Sequence, residues 1–160
     1  MSGIKRLNHA VLFVSDLERA IDFYVNTLDF QVLSQERRMN AAFLRTADSD
    51  NHHDLGLFGL GNNAPPRQRP QLGLYHLAWQ VGTVEELARL KGALITANAI
   101  TGEASHGATL SVYGADPDGN EFELMWMLPR SAWGPYETKA VVEPLDLEAE
   151  LERWAGVETA

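Results

Sequence analysis

The sequence predicts an α+β chain built from two tandem βαβββ modules and closed by a C-terminal helix. Three observations carry this expectation. Sliding the 160 residues against themselves by 67 positions lays Leu7 on Leu74, His9 on His76, Val14 on Val81, Asp54 on Glu121 and Leu57 on Leu124, which marks a duplicated unit. Each copy carries one helix-starting pair, Ser15 with Glu18 and Thr83 with Glu86, ahead of an amphipathic run. The other apolar runs are short, β-rich and bounded by turn residues.

In chain order, "LNHAVLFV" lies in a strand over residues 6–14. "SDLERAIDFYVNTL" follows as a helix over about residues 16–27, with Leu17, Ile21, Tyr24 and Leu28 on its apolar stripe. "FQVLSQE", "MNAAFLRT" and "HDLGLFGL" complete a first module, residues 1–60. Residues 61–72 have the Gly, Asn and Pro content of an exposed linker. The second module, residues 73–128, opens with a strand over 73–81, continues with the helix "TVEELARLKGAL" and ends in the strands "ATLSVYG" and "EFELMWM". Units of this size bury little surface alone, so they read as modules sharing a core. Residues 129–160 form an aromatic, proline-containing tail whose helix "LDLEAELERW" puts Leu147, Leu151 and Trp154 on one face, directed at the body or a second subunit.

An apolar fraction of 45% supports a sizeable core, while a formal charge of −9 argues against nucleic-acid phosphates and anionic membrane surfaces as partners. No apolar run approaches a membrane span, and "MSGIKRLNHA" lacks signal-peptide features, so a cytoplasmic protein acting on a small molecule is expected. With no cysteine, disulfides, cysteine-zinc sites and thiol nucleophiles are excluded.

The duplication breaks its own symmetry at one instructive place. In "EFELMWM", Glu121, Glu123 and Met125 share one face and Phe122, Leu124 and Trp126 the other. At the 67-residue offset, the counterpart of Glu123 is Gly56. The repeat therefore supplies two strand histidines and one carboxylate, the donor set of a facial-triad Fe(II) site, although zinc also accepts it and Mn, Ni and Co are open. For a lone strand histidine, a satisfied structural role is the competing reading.

At these residues the chain resembles the vicinal oxygen chelate superfamily (glyoxalase, bleomycin resistance, extradiol dioxygenase), most like its small two-module, catechol-dioxygenase-like members. "LNHAVLFV", "YHLAWQV" and "DPDGNEFEL" carry the resemblance, over about residues 4–128. It implies sheets that form an incomplete barrel around a metal, with His9, His76 and Glu123 as ligands. "NHHDLGLF" resembles the paired-histidine segment of extradiol ring-cleaving dioxygenases, which gives His53 the acid/base role. "YGADPDGNEFE" resembles their tyrosine segment, so Tyr113 would hydrogen-bond a substrate oxygen. His106 resembles a residue beside the pocket, and Phe43, Phe58, Trp79, Leu110 and Met125 are expected to wall it.

Bland readings stand beside these: His52 and His53 as a polar loop edge, Tyr113 as a rim aromatic, His106 as solvent-facing, and Asp54 and Glu121 as turn or rim charges. The expected activity is Fe(II)-dependent extradiol cleavage of a catechol-type diol with O2, in aromatic catabolism, by a homodimer as the family implies. The alternatives are a glyoxalase-like lyase or isomerase, an antibiotic-modifying thiol transferase, and a protein that binds drugs or ligands without catalysis. Gly56 counts against the glyoxalase type, which places a second metal acid there.

Overall fold

The computed structural model describes residues 3–68 and 70–160, which divide into two compact units, Met1–Pro70 and Gln71–Ala160. The first unit runs β1 (Ala10–Val14), α1 (Leu17–Leu28), β2 (Gln31–Glu36), β3 (Ala41–Arg45) and β4 (Leu55–Gly59). Its sheet order is β1-β4-β3-β2, with β1 parallel to β4 and the other pairs antiparallel. The second unit repeats the plan with β5 (His76–Gln80), α2 (Val84–Thr96), β6 (Ile100–Ser105), β7 (Thr109–Ala115) and β8 (Glu121–Met127), in the order β5-β8-β7-β6. α3 (Leu147–Trp154) follows. Both units are thus α+β modules of βαβββ order.

Each sheet buries one face against its helix. In β1, Leu12 and Val14 are buried while Val11 and Phe13 are 51% and 67% exposed. Leu55 and Leu57 of β4 join Ala20, Ile21 and Tyr24 of α1 in the first core. In β8, Phe122, Leu124 and Trp126 are buried and the alternate residues are not, the period-2 pattern of "EFELMWM".

The ends of elements depart from the expectation. β1 starts at Ala10 and β5 at His76, so the two strand histidines sit at or just before strand starts. Asp16, not Ser15, caps α1 by accepting from Arg19 N, because the Arg19 guanidinium takes the Ser15 hydroxyl. At α2 the Thr83–Glu86 capping box forms as expected. The tail is fastened to the second unit: Trp154 lies 5.8 Å from Trp126 ring to ring, α3 packs on α2, and Ser105 and Glu143 exchange backbone hydrogen bonds of 2.9 Å. Among the described residues, no helix is long and apolar enough to cross a membrane.

Candidate metal centre

The open face of the first unit collects His9, His53, Phe43 and Phe58. His9 immediately precedes β1 and continues the parity of Val11 and Phe13. Because β4 starts only at Leu55, His53 is free of strand parity, and its ring stands 4.4 Å from His9 and 5.1 Å from Phe43. Phe43 meets Phe58 at 6.1 Å on the same face. His52 and His53 approach Nδ1 to Nδ1 at 3.1 Å, so only one of these nitrogens can carry a proton. Burial, then the neighbouring His9 and His52, push His53 below the ordinary histidine value, and Asp54 partly opposes them. The ring is accordingly a neutral base at pH 7.

Behind His9 lies a polar network anchored on Asp54, which is a buried hub and not a turn or rim charge. Its carboxylate accepts from Thr46 N at 3.0 Å, Ser49 Oγ at 2.7 Å and Asn51 Nδ2 at 2.7 Å. Burial alone would raise the Asp54 carboxyl; the hydrogen bonds from Ser49, Asn51 and Thr46 outweigh it and hold the group below the usual range. Nothing singled out Asn8 or Asn51 beforehand, although both flank the histidine motifs "LNHAVLFV" and "NHHDLGLF".

On the open face of the second unit, His76 Nε2 stands 3.1 Å from Glu123 Oε2, with the two side chains 28% and 13% exposed. Tyr113 is paired with Glu123 across β7 and β8, and its hydroxyl lies 3.4 Å from Glu123 Oε1 and 2.7 Å from His106 Nε2. His106 Nδ1 lies 2.8 Å from the Val141 carbonyl, which can only accept. In the neutral ring, Nδ1 therefore carries the proton and Nε2 accepts from Tyr113. His106 is half-buried in this network and is not a solvent-facing residue. Burial, then the charge of Glu123, raises the Tyr113 hydroxyl, which stays protonated as a donor. Met125 shares this face.

Two expected wall residues are turned away. Trp79 pairs with Leu124 and Leu110 with Trp126, so both lie on the core faces of β5 and β7, opposite Glu123. The reason is parity: each is three residues from a site residue, Trp79 from His76 and Leu110 from Tyr113. Register also bears on the missing second acid. Gly56 pairs with Val11 and Phe43 as Glu123 pairs with Ala78 and Tyr113, so the first unit offers hydrogen where the second offers a carboxylate.

Among the described residues, no three His, Asp or Glu side chains are gathered as a metal cluster. The first unit holds His9, and the second holds the pair His76 and Glu123. That pair fits a shared cation: two donors about 2.1 Å from one ion stand about 3.0 to 3.4 Å apart between octahedral and tetrahedral angles, a range that includes the 3.1 Å observed.

The chain belongs to the Glyoxalase/Bleomycin resistance protein/Dioxygenase superfamily, which it matches over residues 6–124. It is 32% identical over 130 residues to a catechol-2,3-dioxygenase of Bacillus subtilis, covering 79% of this chain and 43% of that protein. With biphenyl-2,3-diol 1,2-dioxygenase 3 of Rhodococcus globerulus it shares 33% identity over 129 residues, 78% of this chain and 64% of that one. The chain thus spans less than two thirds of these dioxygenases. A lactoylglutathione lyase of Neisseria meningitidis is 29% identical over 128 residues, 75% of this chain and 89% of the lyase. The glyoxylase/bleomycin resistance protein/dioxygenase domain from Frankia shares the fold, with a TM-score of 0.65 at 22% identity over 79% of this chain and all of that one, 100%.

Proposed function

We propose that the chain is a metal-dependent extradiol ring-cleaving dioxygenase, acting on a catechol-type aromatic diol with O2, and that His9, His76 and Glu123 are its ligands for Fe(II). The observation that carries this reading is the second unit's open face, where a histidine and a carboxylate stand at ligand spacing with the Tyr113 hydroxyl beside them. Similarity to two diol dioxygenases supports it. Mn(II), Zn(II), Ni(II) and Co(II) suit the same donors.

Fe(II), when bound, would hold diol and dioxygen side by side and relay electrons between them. The residues do the rest. His53, neutral beside His9 and Phe43, takes a proton from a diol hydroxyl and returns it as the O–O bond breaks. When substrate is bound, Tyr113 turns its one hydroxyl proton from His106 Nε2 to the substrate oxygen on which charge develops. Phe43, Phe58 and Met125 supply apolar wall for the ring. One ring C–C bond beside a hydroxyl breaks, and both atoms of O2 enter the semialdehyde-acid product. A homodimer belongs to this reading, and light scattering of the purified chain tests it.

The test is anaerobic purification, Fe(II) loading and oxygen uptake across a panel of catechols. Uptake that His53→Ala slows while metal content holds supports the reading; no uptake with any diol overturns it. A glyoxalase-like lyase or isomerase is the second reading, favoured by the chain's coverage of 89% of the Neisseria lactoylglutathione lyase and opposed by Gly56. Turnover of lactoylglutathione without oxygen uptake would establish it.

A further inference from the structure

A hydrogen-bonded series runs from the Asp54 carboxylate through the Asn51 and Asn8 amides to His9 Nδ1. Asn51 fixes the polarity of the chain. Its Nδ2 stands 2.7 Å from Asp54 Oδ1 and 2.9 Å from the Asn8 carbonyl, both acceptors only. Its Oδ1 stands 2.7 Å from Arg6 Nη2, a donor only. Turning this amide over would set oxygen against two acceptors and nitrogen against a guanidinium, so one orientation is allowed. Asn8 Nδ2, 2.8 Å from Asn51 Oδ1, is thereby fixed as well, which leaves Asn8 Oδ1 facing His9 Nδ1 at 3.0 Å. An amide oxygen only accepts, so His9 Nδ1 carries a proton, and in the neutral ring Nε2 then carries the lone pair.

We infer that Asp54, Asn51 and Asn8 are positioning residues that hold His9 as the Nδ1–H tautomer, with Nε2 presented as a donor atom for a divalent cation. The consequence for metal binding rests on the reading of His9 as a ligand; the tautomer does not. The second unit lacks this device: Tyr75 stands where the first has Asn8, at the 67-residue offset, and the buried Nδ1 of His76 has no hydrogen-bond partner among the described residues. The first unit thus arms its histidine from behind, whereas the second has a carboxylate in front of its own. Outer partners of this kind tune ligand basicity and orientation, and their loss costs about 10–100-fold in metal affinity.

The test uses metal-free protein with 15N-labelled histidine, with long-range 1H–15N correlation spectra and His9 assigned by the signal lost in His9→Ala. The wild type is expected to show His9 protonated on Nδ1. Asn8→Ala should shift the ring toward the Nε2–H form that free histidine prefers. Far-UV circular dichroism checks that each variant is folded. Titration with Co(II) should show weakening of about 10–100-fold in Asn8→Ala. A wild-type His9 protonated on Nε2, or a tautomer unmoved by Asn8→Ala in a folded protein, overturns the inference. Nδ1–H in the wild type with Co(II) affinity unchanged by His9→Ala supports the tautomer device and overturns the ligand reading of His9.

Discussion

Tyr113 and His106 share a proton-directed contact: the phenol oxygen stands 2.7 Å from Nε2, while Nδ1 of the same imidazole is held 2.8 Å from the Val141 carbonyl of the tail. The tail thereby decides which histidine nitrogen accepts, and the phenol hydrogen points to it. Removing the hydroxyl in Tyr113→Phe takes away a donor, including its long contact to Glu123, and leaves the proposed ligands His9, His76 and Glu123 in place. Turnover should fall about 100-fold, the usual effect of losing one oxyanion donor, with metal content unchanged. Parallel kcat and metal analyses check this; loss of metal along with turnover would give Tyr113 a structural role.

Glu123→Gln keeps the shape of the side chain and removes its charge. Because Oε2 stands at ligand spacing from His76 Nε2, divalent metal affinity should drop by more than about 100-fold, exceeding the cost of losing an outer partner. Calorimetric titration of wild type and variant measures it. An unchanged affinity would mean that the pair is an ordinary histidine–carboxylate contact.

Asp54 makes a prediction in acid. Its carboxyl is held below the ordinary value in the folded chain, so the stability it contributes is fully present above the unfolded carboxyl's pKa, near pH 4, and is lost as pH falls through the lower folded value. Asp54→Asn should therefore cost about 2 kcal/mol at pH 7 and progressively less in acid below pH ~4. Urea unfolding across pH checks the sign; a difference that grows toward low pH would contradict the assignment.

Gly107 ties the tail's aromatic turn to β7. It has φ +80°, and a Cβ there would stand 2.3 Å from Tyr136 Cδ1. Gly107→Ala should destabilise the second unit by about 1–2 kcal/mol for the left-handed backbone alone, and more for the ring contact. Adding Tyr136→Ala should recover the contact's share and leave the backbone's, which thermal unfolding of the two variants separates.

Much of this was legible in advance for a physical reason: period 2 in "EFELMWM" separates Glu123 from Phe122 and Leu124 whatever the strand packs on, and duplication pairs His9 with His76 before any contact is known. Parity also held information left unused, since Trp79 and Leu110 stand at odd spacings from His76 and Tyr113. Other features were not local. Ser15 and Asp16 are both good caps, and only the reach of Arg19 decides between them. β6, with Gly102 inside "ITGEAS", has no strong strand pattern and forms by pairing with β7. Asp54 looks like a turn charge in sequence because its partners Thr46, Ser49 and Asn51 are all turn-type residues. Their shared focus on one buried carboxylate exists only after the loop has folded.

Ring cleavage by dioxygen is tested most directly by 18O2 labelling. Fe(II)-loaded protein turning over a catechol under 18O2 should consume one O2 per diol and place both labelled atoms in the ring-opened product. Product formed without label, or labelled diol with the ring intact, would contradict the account.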